Sequence, residues 1–338
     1  MPIAIPVEVT SSDQLYTALK TAKDGDVIHI APGVYTAPSA GPFKAKGVPN
    51  LQVIGDAGSG TIIRGGYDGL TIEGCANATV QNIHTREAGR GGFYFVSSDN
   101  LKCLNCSGVR HTTWGALTSK CHYLYFDGFY GAESVNQHGL YISNHGMQPT
   151  VVNSLFERNG RCGLQFNADR SQALPPVYFG QGQINDAVVR NVECIDNCVT
   201  GVGASMNVLG CWNATIENVK ATGGKAGGIN FSNDDNLTPE GLAYGSRNCT
   251  LKSVEVSGIR GISAKSGSFG LKMIDVRVDA TGGPCLEWDQ YSKGWSIEMT
   301  GWTCGTNKKR FYGPSYQSND APEDVLLALT GTHGKAPL

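Results

Sequence analysis

The sequence has few charged residues and almost no net charge. Only 17% of its 338 residues are Asp, Glu, Lys or Arg, and the formal net charge at pH 7 is -2. Such a chain has no general positive field to attract nucleic acid, and no basic run stands beside an aromatic stacking module. Nucleic acid is therefore not an expected partner.

Long hydrophobic segments are also missing. No run approaches the roughly 20 apolar residues with which a helix crosses a bilayer. The opening residues, MPIAIPVEVTSSDQ, lack the basic start and apolar core of a signal peptide. We therefore expect no contact with a membrane. The suspected location, outside a cell or on a virus particle, would require an export route that is not visible in this chain.

The cysteines do not have the spacing of a metal site. There are eleven, and Cys103/Cys106 and Cys194/Cys198 are paired closely, but no histidine or second CxxC lies at zinc-binding distance. A chain of this length does not need disulfide staples. We expect reduced, buried cysteines that pack as small hydrophobic side chains.

What the sequence does have is glycine, turn residues and a repeat. The 45 glycines stand among many Asn, Ser, Thr, Val and Ile, a composition typical of turn-rich β proteins. Short strands that mostly follow the form Gly-apolar-x-apolar start at residues 92, 115, 139, 163, 201, 228 and 261, and a similar strand with Cys in place of Gly starts at 285. Their spacings, 23, 24, 24, 38, 27, 33 and 24, indicate a period near 23 with three insertions.

A second set of strands recurs between the first. It includes ATVQNIHT at 78, PTVVNSLFE at 149, DAVVRNVECI at 186 and ATIENVKA at 214. The leucine-rich frame is absent, and propeller blades need about 40 residues each. The pattern therefore predicts an all-β fold, a parallel β-helix of about ten coils between Leu51 and Cys304, stacked at the spacing of neighbouring strands.

The N-terminal segment has the features of a cap for this stack. Ser11, Ser12 or Asp13 can begin a helix, and the apolar residues from Leu15 to Ala22 fall on one stripe. The segment SDQLYTALKTAKDGDVIHIAPGVY, followed by coils, resembles the pectin-lyase-like superfamily of right-handed parallel β-helix proteins. We predict a cap over residues 1–50, the β-helix over 51–304 and a C-terminal cap or tail over 305–338.

Alternation along each strand predicts columns of outward-facing side chains. In GLQFNAD, Leu164 and Phe166 face inward, while Gln165 and Asn167 face outward. The same register predicts a first column of Tyr94, Leu117, Tyr141, Gln165, Gly203, Asn230, Ser263 and Glu287. A second column holds Val96, Ser119, Ser143, Asn167, Ser205, Ser232, Lys265 and Asp289. The turn beyond them holds His145, Asp169, Asn207, Asp234 and Tyr291.

This face becomes more polar from residue 139 onward, and long insertions follow Asp169 and Asp234. Loops that flank one face of a rigid scaffold often carry binding residues. Asn, Gln, Tyr and acids suit a polysaccharide or oligosaccharide, which offers hydroxyl groups and apolar ring faces. The candidate sugar-binding residues are Tyr141, His145, Gln165, Asn167, Asp169, Arg170, Asn230 and Tyr291.

The leading prediction is cleavage of a uronate-containing polysaccharide by β-elimination. Removal of the proton next to a carboxyl group needs a base and positive charge. In lyases of this fold a Lys or Arg often serves as base, and Ca²⁺ held by acids often neutralises the carboxylate. The resemblance implies Lys265 as base or electrostatic partner, with Asp234, Glu287 and Asp289 as supporting acids or Ca²⁺ ligands. An ion pair between Lys265 and Asp289 is the structural alternative.

Two other functions stay open. An inverting glycoside hydrolase could pair Asp234 or Asp235 with Glu287 or Asp289, two coils away and roughly 9.6 Å distant at strand spacing. The segment NDDN resembles polygalacturonase-type hydrolases, although their GHG and RIK elements are absent. The other possibility is a non-catalytic glycan-binding or viral spike-like solenoid. With any of these functions the chain could form a homo-oligomer, which would be a trimer on a virion.

Overall fold

The computed structural model describes residues 6–37, 42–58, 60–169, 182–233, 244–289, 292, 298–301, 303–304, 311–313 and 316–318. One α-helix and 33 short strands occupy this part of the chain. Almost all strand pairs are parallel, and each strand pairs with its counterpart one coil away. The fold is the parallel β-helix that the repeat predicts, with about ten coils.

The N-terminal helix forms the predicted cap. It spans Ser12–Thr21, and the Ser11 hydroxyl accepts a hydrogen bond from the Gln14 backbone N–H at 3.3 Å. Leu15 and Leu19 are fully buried against the first coil. The helix therefore covers apolar surface that the first coil would otherwise expose. No helix among the described residues is both long and apolar enough to cross a bilayer.

Three sheets run along the stack, here called sheet 1, sheet 2 and sheet 3. The strands of sheet 1 are Val7–Val9, Val27–Ile30, Gly33–Thr36, Gln52–Gly55, Thr61–Arg64, Thr79–Gln81, His84–Arg86, Lys102–Leu104, Ser107–Val109, Tyr125–Asp127, Tyr130–Ala132, Thr150–Glu157, Val188–Ile195, Thr215–Thr222, Thr250–Gly258, Lys272–Ala280, Glu298–Thr300 and Thr303–Cys304. The strands of sheet 2 are Phe43–Lys46, Asp68–Glu73, Gly91–Val96, Trp114–Ser119, Leu140–Asn144, Leu164–Ala168, Met206–Leu209, Ile229–Ser232, Ile262–Ala264, Leu286–Trp288, Phe311–Gly313 and Tyr316–Ser318. The strands of sheet 3 are Gly146–Met147, Ile184–Asn185 and Cys211–Trp212.

Alternation in sheet 2 places apolar residues inside, as predicted. Leu164 and Phe166 are buried in the core, and their counterparts Leu140 and Ile142 stack directly beside them. Aromatic rings fill the middle coils, where Phe126 and Phe129 meet edge to face with 5.5 Å between ring centroids. Buried, interlocked side chains in every coil hold the stack together.

The predicted register of sheet 2 is wrong in one coil. The structure pairs Gln165 with Asn207 and Asn207 with Asn230, so Asn207 takes the place predicted for Gly203. Gly201 and Gly203 instead adopt positive φ angles, 82° and 101°, in the preceding turn. Glycine precedes most other strands of this set, and the glycines of this turn give the same signal in the sequence.

The same shift corrects two further positions. Leu209 pairs with Asn167 and Ser232, so it takes the place predicted for Ser205, which is fully buried before the strand. Asn207 lies within the strand and not in the turn where the pattern placed it. After this coil the register is again as predicted, with Asn230, Ser263 and Glu287 in one column.

The cysteines are buried, but they are not all reduced. Nine are free and buried, as expected. Cys285 and Cys304 form a disulfide, which corrects the expectation for these two. Their separation of 19 residues is close to the length of one coil, so the chain brings them together in the last coils.

The predicted division at residue 51 is not a break in the stack. Strand Val27–Ile30 already pairs with Gln52–Gly55, so the first coil begins within the predicted cap. At the other end, Phe311–Gly313 pairs with Tyr316–Ser318 in antiparallel fashion. The rest of the predicted tail, 305–310, 314–315 and 319–338, lies outside the described residues.

Candidate functional site

A cleft of about 420 Å³ lies on the outer side of sheet 2 in its last coils. We call it the cleft. Its polar side chains are Asn207, Asn230, Arg260, Ser263, Lys265 and Glu287. Its other edge is formed by small or apolar residues, among them five glycines between 203 and 283 and Pro284. The cleft therefore coincides with the C-terminal part of the polar face that the sequence predicts.

Close backbone packing keeps side chains away from part of this edge. A Cβ atom at the lining residue Gly261 would lie 2.3 Å from the Cys285 carbonyl oxygen, and one at Gly228, next to the lining residue Gly227, would lie 2.2 Å from the Gly261 carbonyl oxygen. Both distances are far below van der Waals contact, so only glycine fits at these two positions. The glycines leave a depression beside the strands, alongside the apolar side chains of Ile259 and Pro284.

Two cations and one carboxylate line the cleft. Lys265 Nζ lies 2.9 Å from Glu287 Oε1, one coil away, and their side chains are 37% and 27% exposed. Arg260 is exposed at the rim. Two positive groups against one negative group leave a local charge of +1 among the described lining residues. The predicted nearness of Lys265 to Glu287 is confirmed, and Glu287 rather than Asp289 is the partner of Lys265.

Amide and hydroxyl groups complete the lining. Asn207 donates to Gln165 Oε1 at 2.7 Å, and Gln165 donates to Asn167 Oδ1 at 3.3 Å. Ser263 donates to Asn230 Oδ1 at 2.7 Å, so Asn230 keeps its amide N–H groups available to a ligand. Gln165 and Asn167 are each only 5% exposed. These two predicted sugar contacts therefore hold Asn207 and present little surface of their own.

Asp289 lies beside the cleft and is occupied with the backbone. Its Oδ2 accepts from the Ser266 N–H at 2.8 Å, and its Oδ1 accepts from the N–H and the hydroxyl of Ser292 at 3.1 and 3.0 Å. It is not among the residues that line the cleft. These bonds favour a role in holding the turn.

The histidine and tyrosine of the coil at residue 139 lie outside the cleft. Tyr141 pairs with Gln165, and Gln165 pairs with the lining residue Asn207, so at strand spacing Tyr141 lies roughly 10 Å from the near end of the cleft and roughly 24 Å from Glu287. Its ring packs on His138 and Trp114, with centroids 5.2 and 6.1 Å away. His145 is 6% exposed, and burial lowers its pKa. Neither residue lines the cleft.

Several predicted site residues cannot be placed. Asp234, its neighbour Asp235, Arg170 and Tyr291 lie outside the described residues. Asp169 is described and half-buried at the end of strand Leu164–Ala168, and it does not line the cleft. Of the predicted residues, the cleft thus unites Asn230, Lys265 and Glu287.

The described residues contain no group of three or more His, Cys, Asp or Glu arranged to hold a metal ion. Glu287 is the single carboxylate among the described lining residues. The prediction of Ca²⁺ stays a prediction, because the acidic segment at Asp234 lies outside the described residues.

Three polar residues of the cleft are not among the predicted site residues: Asn207, Arg260 and Ser263. Asn207 was assigned to a turn because the register slipped by four residues. Arg260 stands just before a strand, where the preceding coils have Ala204 and Gly227. A cation at a place where other coils have small residues is a signal in the sequence that could have identified Arg260.

No protein-family model matches the chain, and no curated protein sequence matches it. Solved structures do match. An alginate lyase from Paenibacillus sp. str. FPU-7 is 13% identical, with a TM-score of 0.57 over 91% of this chain and 98% of its own. The A-module of the mannuronan C-5 epimerase AlgE4 from Azotobacter vinelandii is 11% identical, with a TM-score of 0.62 over 91% of this chain and 94% of its own.

A third similar structure is the surface protein and adhesin PfbA of Streptococcus pneumoniae. It is 8% identical, with a TM-score of 0.56 over 89% of this chain and 93% of its own. At such low identity these likenesses show the fold alone, which is the parallel β-helix. The fold is shared by enzymes and by an adhesin, so function has to be argued from the cleft.

Proposed function

We propose that the protein is a carbohydrate-active enzyme that binds a uronate-containing polysaccharide in the cleft and cleaves it by β-elimination. The observation that carries this proposal is the charge of the cleft, where Arg260 and Lys265 face one carboxylate, Glu287. Cations bind carboxylates by charge-assisted hydrogen bonds, and arginine does so with two parallel bonds. The amides of Asn207 and Asn230 would then meet sugar hydroxyl groups.

Two similar structures support an acidic substrate. Their names contain alginate and mannuronan, and both match this chain over more than nine-tenths of its length. We also propose the extracellular or virion-associated location that the sequence suggests. Hydrolysis is less favoured, because an inverting hydrolase needs two carboxyl groups and the described lining offers one.

In the proposed reaction, a uronate carboxylate binds between Arg260 and Lys265. The proton on the carbon next to the carboxylate passes to the Glu287 carboxylate, the electron pair of the broken C–H bond forms a C=C bond, and the bond to the glycosidic oxygen breaks with its electron pair on that oxygen. The departing oxygen takes up a proton from water. Arg260 and Lys265 stabilise the negative charge that develops on the carboxylate oxygens during this step.

Ion pairing suggests how the acid and base roles divide. An ammonium group donates protons and cannot accept one, so Lys265 serves as electrostatic partner while it is paired with Glu287. A substrate carboxylate competes with Glu287 for Lys265. Release of the Glu287 carboxylate would leave a base within the cleft, next to the bound uronate.

The test is an assay on a panel of uronate polymers and neutral glycans, followed by ultraviolet absorbance of the new double bond together with reducing ends. Both signals are expected on a uronate polymer. Reducing ends without absorbance would mean hydrolysis, and neither signal on any polymer would contradict an enzymatic role. Lys265→Met and Glu287→Gln are each expected to lower the rate at least tenfold.

Sheet 1 offers a matched control for these substitutions. Lys252 Nζ lies 2.7 Å from Glu217 Oε1, also across neighbouring coils, on a face remote from the cleft. Lys252→Met and Glu217→Gln remove an equivalent ion pair and should leave the rate unchanged. An equal loss in both sets of variants would show that the effect is structural, and would contradict the role of Lys265 and Glu287.

A further inference from the structure

A ladder of asparagines runs along the turn that precedes sheet 1. Asn50, Asn77 and Asn100 occupy the same place in three successive coils, with φ angles of 54°, 58° and 54°. Asn77 Nδ2 donates to Asn50 Oδ1 at 3.0 Å, and Asn100 Nδ2 donates to Asn77 Oδ1 at 3.1 Å. Asparagine suits this left-handed backbone better than most residues do.

The next coil places a tyrosine in this position. Tyr123 precedes the strand that pairs with Lys102–Leu104, which puts it one coil above Asn100, and its φ angle is 56°. Its ring is 45% exposed. A bulky residue in a left-handed conformation is strained by about 1–3 kcal/mol, and such strain is often found at functional positions.

A second depression, of about 520 Å³, opens beside this tyrosine. We call it the tyrosine groove. Its polar and aromatic lining consists of Tyr123, Tyr125, Gln148, Thr150, Asn213 and Thr215. The lining spans four successive coils, so it is about 14 Å long at strand spacing. The strands behind it belong to sheet 1, and it shares no residue with the cleft.

The lining is aromatic and polar, with almost no charge. Asp186 is the one charged residue among the described lining, and it already accepts a hydrogen bond from Asn213 Nδ2 at 3.2 Å. No described cation lines the groove. A polysaccharide rich in carboxylates would therefore meet no positive charge in the groove. A neutral saccharide does not need such a charge to bind.

The shape and chemistry of the groove fit a neutral saccharide. Phenol rings such as those of Tyr123 and Tyr125 offer flat apolar surface at the edge of water, against which the C–H face of a pyranose can pack. Amide and hydroxyl groups beside the rings match sugar hydroxyls as donors and acceptors. The open, elongated form of the groove admits a chain from either end.

We propose that the tyrosine groove is a second, non-catalytic glycan-binding site that takes neutral oligosaccharides. It would hold the protein on a neutral glycan while the cleft remains free. This site is independent of the proposed reaction in the cleft, because the two regions have different linings and lie on different sheets.

The test uses the residues that the chain itself places at the same positions in neighbouring coils. Tyr123→Asn restores the residue of the ladder at Asn100, and Tyr125→Thr copies Thr150, its partner in the next coil. Soluble β-linked oligosaccharides of glucose, xylose, mannose and galactose serve as probes, with binding measured by calorimetry and NMR. The double variant should bind at least tenfold more weakly than the unsubstituted protein.

Tyr67→Asn is the matched control, because Tyr67 is 66% exposed and lies away from the groove. It should bind the probes normally, and so should Lys265→Met. The proposal is overturned if the unsubstituted protein binds none of the probes, or if the double variant binds them unchanged. Displacement of a neutral probe by uronate oligosaccharides would also overturn it, since the probe would then occupy the cleft. Cleavage of uronate polymers is read separately, so each proposal can fail alone.

Discussion

The cleft and the tyrosine groove are depressions on one solenoid, yet they differ in charge and in aromatic content. Glycines and three charged side chains form the cleft, while two tyrosines among amides and hydroxyls form the groove. Both depart from the repeat, since Arg260 stands where the preceding coils have Ala204 and Gly227, and Tyr123 stands between Asn100 and Gln148 of the neighbouring coils. Outward side chains do not fill the core, so this fold can carry different surface chemistry on different coils.

The two regions also differ in how the chain supports them. Buried phenylalanines, Phe126 and Phe129 among them, fill the coils behind the start of the groove. The last coils have aliphatic cores and the disulfide Cys285–Cys304. Perturbations aimed at one kind of support should therefore affect one region more than the other.

The largest expected effect comes from removing the disulfide. Closing a loop of 19 residues is worth about 3 kcal/mol in the chain-entropy description. Cys285→Ser with Cys304→Ser should lower the free energy of unfolding by about that amount and weaken uronate binding, because Cys285 lies two residues before Glu287. Denaturant titration and calorimetry measure both effects. Binding of neutral oligosaccharides in the tyrosine groove should not change. An equal loss of binding in the cleft and in the groove would show that the two regions are not supported separately.

Removing both cations of the cleft should have the next largest effect. A charge-assisted hydrogen bond contributes about 1.5–3 kcal/mol. Because both cations are partly exposed to water, we take the low end of this range, which corresponds to roughly tenfold in affinity for each cation. Arg260→Ala with Lys265→Met should therefore weaken the binding of uronate oligosaccharides about 100-fold in calorimetry. The control pair, Arg277→Ala with Lys252→Met, removes two exposed cations of sheet 1. Similar weakening by the control would mean that only overall charge matters.

Acid should destabilise the coils between residues 107 and 144, where the tyrosine groove begins, more than the coils between residues 229 and 286, which carry the cleft. Burial lowers the pKa of His111 to about 4 and that of His138 to about 3, from an ordinary value of 6.5. Below pH 6.5 the unfolded chain binds more protons, so stability falls as the pH drops from 6.5 to about 4 and about 3 respectively, by up to about 1.4 kcal/mol per unit for each group. Above pH 6.5 these two groups contribute no slope.

The structure describes six of the seven histidines, and all six lie before residue 146. Hydrogen exchange gives the free energy of local opening at each pH. Between pH 7 and pH 5 this free energy should fall in the coils between residues 107 and 144 and change little in the coils between residues 229 and 286. His111→Gln should flatten the decline. His29→Gln should not, because hydrogen bonding to Glu8 raises the pKa of His29 and so gives the opposite sign.

The smallest expected effect is an increase in stability. Tyr123→Asn relieves a left-handed tyrosine and allows a new hydrogen bond to Asn100, so we expect an increase of about 1 kcal/mol in the free energy of unfolding. Thermal unfolding of this variant beside Tyr67→Asn measures it. A loss of stability would mean that the ring supports the coil, and would weaken the inference that Tyr123 is kept for a ligand.

Much of this fold could be predicted from the sequence, because stacking repeats its demands in every coil. Gly, Leu and Phe at 163, 164 and 166 recur in register with 139, 140 and 142, and so reveal sheet 2 directly. The register failed at Gly203, because glycine both opens strands and forms turns with positive φ. Local pattern alone does not separate these two uses.

The candidate site could be predicted only in part. Lys265 and Glu287 are one coil apart, and the period was sufficient to bring them together. Arg260 and the disulfide depend on which turns approach each other in space, and the pattern of strands says little about turns. The burial of Gln165 and Asn167 likewise depends on Asn207, whose coil was misaligned.

The buried cysteines can serve as natural probes of how the β-helix unfolds. Burial raises the pKa of Cys121, Cys162 and Cys249 to about 12, and a protonated, enclosed thiol does not react with alkylating reagents. The nine thiols are spread from Cys75 to Cys249, so most coils of the stack carry one. Timed alkylation in mild denaturant, read peptide by peptide in a mass spectrometer, would give the order in which coils separate without a single introduced label.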